Sequence, residues 1–146
     1  MAESANLSAP PSELSRPHAR PANGKELTPP QGPKGRGRLT IVNPGPYDIA
    51  VKLVESQSMQ PRRFFYVHAG NRATVQNIST GLYYILLSEG TDWDSDTQRF
   101  LRDQSFTKFA ESFDFRLHPY QIVELQPDPS GELHSLSIGE DEFKNK

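Results

Sequence analysis

The stretch Phe64 to Asp94, FFYVHAGNRATVQNISTGLYYILLSEGTDWD, restricts this chain more than any other. Phe65 and Val67 alternate with Phe64, Tyr66 and His68, and Leu82 to Ser88 is apolar on both prospective faces. Ala69-Gly70-Asn71 and Thr80-Gly81 punctuate the runs. Period-two alternation bounded by such residues reads as strand, tight turn, strand, short turn, strand, then an acidic loop around the single tryptophan. Gly70-Asn71 suits a two-residue hairpin, because both residues tolerate positive φ. The doubly apolar Leu82–Ser88 segment belongs at the centre of a sheet.

The same pattern extends on both sides. Leu39 to Asn43 is a first strand, stopped by Pro44-Gly45-Pro46. Asp48 to Glu55 follows, with Ile49, Val51 and Leu53 on one face and Ala50, Lys52 and Val54 on the other. Arg63–Ala69 and Arg72–Ile78 form the hairpin. A long aromatic connection then runs from Glu89 to about Arg116, with a short strand or turn near Gln98–Arg102 and an edge strand at Phe113–Leu117. Pro119–Gln126 is a strand with Tyr120 and Ile122 inward, and Val123 and Leu125 as further core candidates. Pro127 to Gly131 is a turn, and Leu133–Ile138 closes the domain with Leu136 and Ile138 inward. Many short strands with Gly/Pro/Asn turns and no amphipathic helix predict an all-β antiparallel sandwich of seven to eight strands, spanning residues 39–143. Residues 144–146 are read as a tail.

Residues 1–38 differ in kind. They hold seven of the 13 prolines and four of the 10 glycines, and only Met1, Leu7, Leu14 and Leu27 are large and apolar. Such a segment buries too little to offset its ordering entropy, so a disordered, semi-stiff leader is expected. It carries six basic and three acidic residues, against ten and fifteen in the remainder. An acidic domain argues against nucleic acid as the main ligand. The cluster Lys34-Gly35-Arg36-Gly37-Arg38 reads as a solvated hinge, with contact to phosphate or an anionic surface as the other reading. The absence of cysteine excludes disulfides, cysteine zinc sites and thiol catalysis. No apolar run is long enough to span a bilayer, and the N-terminus lacks a secretory pattern. A cytoplasmic protein is the expectation.

The run YVHAGNRATVQNISTGLYYILLSEGTDW resembles the prealbumin-like sandwich of carboxypeptidase regulatory domains. There a strand ends at an "AG"-type turn, a "TV..I" strand follows, and a "G.Y" strand carries a core tyrosine. It resembles still more an uncharacterised bacterial relative of that group, in which a glycine-Asp-Trp loop follows the "G.Y" strand. The similarity covers about Leu39 to Phe143, and Thr80 stands where such domains often have proline. The resemblance implies an accessory or binding module without chemistry of its own.

Candidate sites are few. Asp92, Asp94 and Asp96 match positions 1, 3 and 5 of a calcium loop, and Asp103 falls at position 12. Thr97 replaces the glycine needed for the bend, and Arg99 and Arg102 compete for the carboxylates, so a solvated acidic loop is the other reading. Trp93 with Tyr47, Tyr66, Tyr83 and Phe106 is either a glycan- or peptide-binding platform or ordinary core. Phe113 and Phe115, alternating with acids, give an edge that pairs with a partner strand or stays a plain edge. His68, His118 and His134 form no zinc-type pair, with His68 and His134 read as half-exposed surface residues. No nucleophile elbow, phosphate loop or dinucleotide loop occurs. Asp92, Asp94, Asp114 and Glu124 are the carboxylates a glycosidase could draw on. The expectation is therefore a non-enzymatic protein-interaction module, binding a protein partner through Trp93, Phe106, Phe113 and Phe115. A weak homo-oligomer through an edge strand is a further possibility. The alternative is a module for carbohydrate or calcium at Asp92 to Asp96.

Overall fold

A computed structural model describes residues 20–125 and 135–145. Expectations for residues 1–19, for the turn at 127–131, and for Leu133 and His134 fall outside those residues. Nine strands and one short helix occur among the described residues. They are β1 (Lys34–Asn43), β2 (Asp48–Glu55), β3 (Pro61–Val67), β4 (Asn71–Ile78), β5 (Leu82–Asp94), β6 (Arg99–Phe109), β7 (Phe113–Asp114), β8 (Tyr120–Glu124), β9 (Ser135–Ser137) and α1 (Glu140–Asn145).

The strands form an all-β sandwich. The larger sheet has the order β9-β6-β5-β2-β3, with β7 also paired to β5, and the smaller has the order β4-β1-β8. Leu82–Ser88 lies centrally, as its two apolar faces require, between β2 and the neighbouring hairpin strand. The 70–71 turn joins β3 to β4, with Gly70 at φ 74°, but the expected hairpin does not form: the turn carries the chain between layers, so β3 pairs with β2 in the large sheet and β4 with β1 in the small one. All pairings are antiparallel except one. β1 and β8 run parallel, with Arg38 opposite Tyr120 and Val42 opposite Glu124.

Two cores result rather than one. The first lies between the sheets, around Leu39, Ile41, Val51, Phe65, Tyr83 and Ile85. The second covers the other face of the large sheet, around Ala50, Tyr66, Leu86, Trp93, Phe100 and Phe143. Each fully buried Leu, Ile or Phe side chain is stabilised by about 1.5–3 kcal/mol relative to exposure. The second core explains why β2 is buried on both faces.

Four expectations are corrected here. The connection from Glu89 to Arg116 is mostly a long hairpin, because β5 continues to Asp94 and β6 returns from Arg99. A register shift between Glu89 and Thr91 bends it. Gly90 permits that bend: an added Cβ would come within 2.7 Å of Phe100 Cβ and 2.8 Å of the Arg102 carbonyl. The hairpin thereby folds Trp93 and Phe100 back over Tyr66, with ring centroids 5.6 and 5.9 Å from it.

The expected leader boundary at residue 38 also moves. β1 begins at Lys34, so the Lys34–Arg38 cluster is strand rather than hinge. Residues 20–33 lie along β3 as a strap. Gly24 and Leu27 donate backbone bonds to the Tyr66 and Phe64 carbonyls (2.7 and 2.6 Å), Tyr66 donates to Lys25 (2.9 Å), and Gln31 to Arg62 (2.9 Å). Backbone bonding overcomes the poor apolar content that made disorder the expectation.

The acidic segment after Ile138 is helix α1, so Lys144 belongs to an element rather than a tail. Its Phe143 is buried in the second core. In β8 the faces are exchanged: Val123 is buried, while Tyr120 and Ile122 point outward, and Leu136 in β9 is exposed too. Among the described residues no helix is long and apolar enough to cross a membrane.

Candidate functional site

The aromatic residues expected at a binding surface are core. Trp93, Phe106, Phe113 and Phe115 are all buried. Trp93 stacks edge-on against Phe100 at 4.9 Å, and Phe106 lies 5.2 Å from Phe143. Phe113 packs with Phe109 and Phe115 with Tyr83, in the other core. Tyr66 and Tyr83 are buried as well, so the suggested platform is divided between two interiors and presents no common face. The Phe113 edge is correspondingly paired, since Phe113 and Asp114 bond to Tyr83 and Leu82 of β5.

The acidic loop is engaged internally. Asp92 faces Arg102 at 3.4 Å. Asp94 accepts from the Asp96 amide (3.1 Å) and the Thr97 hydroxyl (2.7 Å), closing the turn. Asp103 lies 3.5 Å from the Thr91 hydroxyl. The four aspartates are not gathered on one point, and among the described residues no group of three or more His, Cys, Asp or Glu is placed to hold a metal ion. Asp114 is bound by Arg116, whose guanidinium, with backbone amides, holds its pKa down at about 2 against residual desolvation. His68 donates from Nε2 to the Pro21 carbonyl (2.7 Å), and His118 is exposed on the turn before β8.

Two polar clusters fasten the strap. Asp48 accepts a two-pronged pair from Arg20 (2.8 Å each), the Ala69 amide (2.8 Å) and the Tyr66 hydroxyl (2.8 Å). Desolvation pushes the Asp48 pKa up, but these donors outweigh it and hold it at about 2. Burial, reinforced by the Asp48 carboxylate, pushes the Tyr66 phenol strongly up. Further along, the buried Arg63 grips Glu26 through Nε (2.8 Å) and Nη2, and donates from Nη1 to the Gln76 carbonyl (2.6 Å).

What remains available is elsewhere. β8 is the end strand of the small sheet among the described residues, bonded on one side to β1. Leu117, Tyr120 and Ile122 are 72, 59 and 70% exposed. The Arg38 guanidinium sits 4.6 Å over the Tyr120 ring and orients it. Off the N-terminal ends of β1 and β8 opens a cleft of about 740 Å³. Ile78, Tyr83 and Phe115 lie in its wall, and Lys34, Arg36, Arg62 and Arg116 supply its charge, with Glu55 as its carboxylate. Ser58 holds that carboxylate through hydroxyl and amide, which lowers its pKa. The sequence did signal the basic run, but gave no register to place it beside β8.

No protein-family model, no curated protein and no solved structure matches this chain.

Proposed function

We propose that this chain is a non-enzymatic protein-interaction module whose working surface is the free edge of β8. The observation that carries this reading is an exposed Tyr120-Ile122 pair on a strand hydrogen-bonded on one side among the described residues. An edge strand keeps a row of unmet N–H and C=O groups, and an extended segment of a partner protein satisfies them by adding as a further strand. Apolar side chains on the adjoining face then give the added strand something to cover. The internal pairing of the Asp92, Asp94 and Asp114 carboxylates supports the non-enzymatic part, since none is left with the freedom of a general acid or base. The resemblance to regulatory-type sandwich modules and the cysteine-free composition support an accessory role in a cytoplasmic protein.

Capture from native cell extract, followed by hydrogen exchange on the purified complex, tests it. A bound partner is expected to slow exchange at residues 120–124 and to be lost with Ile122→Asp, whose side chain touches neither core. A partner retained in full by Ile122→Asp overturns the reading. A concentration-dependent dimer of the pure protein, abolished by the same substitution, would make a second copy the occupant and overturn it equally.

A further inference from the structure

We infer that the segment added to β8 is acidic, and that its carboxylates seat in the cleft beyond Tyr120, among Lys34, Arg36 and Arg62. This inference rests on strand addition at β8.

Continuity places the cleft on the path of such a segment. β1 and β8 run parallel with Arg38 opposite Tyr120, so their N-terminal ends lie side by side. Pro119, immediately before β8, and Arg36, two residues before Arg38, both line the cleft. A strand advances about 3.3 Å per residue, so two or three residues past Tyr120 bring an added chain over it.

Charge decides what those residues are. Among the described residues Lys34, Arg36 and Arg62 make no ion pair, while Arg63, Arg99, Arg102, Lys108 and Arg116 do. Of the acidic groups near the cleft, Glu26 is paired with Arg63 and Asp114 with Arg116, while Glu55, held by Ser58 in the cleft wall, also attracts Arg62 and leaves Lys34 and Arg36 as the uncompensated charges. This is a basic pocket on a domain whose residues beyond 38 carry five more acids than bases. Carboxylates entering it meet guanidinium groups able to bind them two-pronged. Ile78, Tyr83 and Phe115 give the cleft an apolar wall beside these charges. The acidic surroundings disfavour a long polyanion such as nucleic acid, which would have to cross them.

Fluorescence anisotropy with two labelled synthetic peptides tests this. One alternates valine and glutamate; the other carries glutamine at every glutamate position. The glutamate peptide is expected to bind at least about tenfold tighter at low salt, and to lose that advantage as salt rises. Lys34→Glu with Arg36→Glu, both exposed, should abolish the preference and leave the glutamine peptide's affinity unchanged. Arg36→Gln alone should reduce it partway. Equal affinity for the two peptides, no binding of the glutamate peptide, or a preference that survives charge reversal overturns the inference. So does tighter binding of a labelled oligothymidylate. Ile122→Asp separates the two readings. If it weakens both peptides, strand addition and the acidic seat stand together. If the glutamate preference persists with Ile122→Asp at full strength, strand addition fails, and with it the inference as stated.

Discussion

The two long flanks of the sandwich receive opposite treatment. On one, residues 20–33 run along β3 and take up its outward backbone groups, with Glu26 and Arg20 bonded to Arg63 and Asp48. On the other, β8 has an apolar, exposed outer face and a backbone bonded to β1 alone among the described residues. A bare edge invites non-specific pairing, and proteins ordinarily blunt or cover it. Among the described residues β3 is covered and β8 is not, which is the contrast the proposed partner-binding role of β8 rests on.

Removing residues 1–31 should break the comparison most sharply. It exposes β3, removes Leu27 from the second core and orphans Arg63. A loss of roughly 3–5 kcal/mol is expected, with new self-association, measured by urea unfolding and sedimentation. Unchanged stability would mean that the strap merely lies on the sheet. Glu26→Gln is the next step down. It leaves the Arg63 charge buried beside one carbonyl, and should cost about 2–3 kcal/mol in the same assay.

Acid should loosen the strap from its other end. The Asp48 carboxylate is held down at about 2, below its ordinary value of 3.8. The stabilisation it provides is complete above the ordinary value and is lost as pH falls through about 2. Hydrogen exchange at residues 20–24 should therefore accelerate in that window, and Asp48→Asn should remove the pH dependence. At the β8 edge, by contrast, Ile122→Asp should shift Tm by no more than about 1–2 °C, since surface changes are usually within about 0.5 kcal/mol. A large shift would show that Ile122 is structural and that both edges are alike.

An alkaline measurement addresses the strap's neighbour in the second core. Lys52 is 8% exposed and donates to the Phe143 carbonyl at 2.7 Å, with its ammonium 4.5 Å from the Phe143 ring centre. Burial, then repulsion from Lys144, pulls its pKa down from 10.5 to about 8. The unfolded chain thus binds the extra proton between those values, and stability should rise modestly with pH from about 8 towards 10.5. Lys52→Met should flatten that rise.

Much of the scaffold was legible because local patterning and tertiary role agree there. Leu82–Ser88 is apolar on both faces and is central. The turn at Gly70 was legible too, though not that its two strands part into different sheets, which no local pattern records. Legibility ended where register shifts intervene. The bulge at Gly90 and the positive φ of Asp92 break the alternation of β5, so a strand read as a loop, and Trp93 stood open between core and binding surface. In β8 apolar residues stand on both faces, Tyr120 and Ile122 against Val123 and Leu125, so periodicity alone cannot choose the buried one. The strap was hidden for another reason: it is held by backbone bonds to β3 and by scattered polar pairs such as Glu26–Arg63, which leave no hydrophobic periodicity. The burial of Phe143 was not legible either, because its packing partners, Phe64 and Phe106, lie far away in sequence.

The parallel pairing of β1 with β8 sets the order of assembly. Val42 meets Glu124 across more than eighty intervening residues, whereas β2, β3 and β5 find partners nearby in the chain. During synthesis the large sheet can begin to form while β1 is still bonded only to β4. The β8 edge is therefore among the last parts to form, and a chain cut short before it would lack it. Such distant closure also predicts slow folding, in the millisecond-to-second range usual for sandwiches, with β1 briefly exposed as a second open edge.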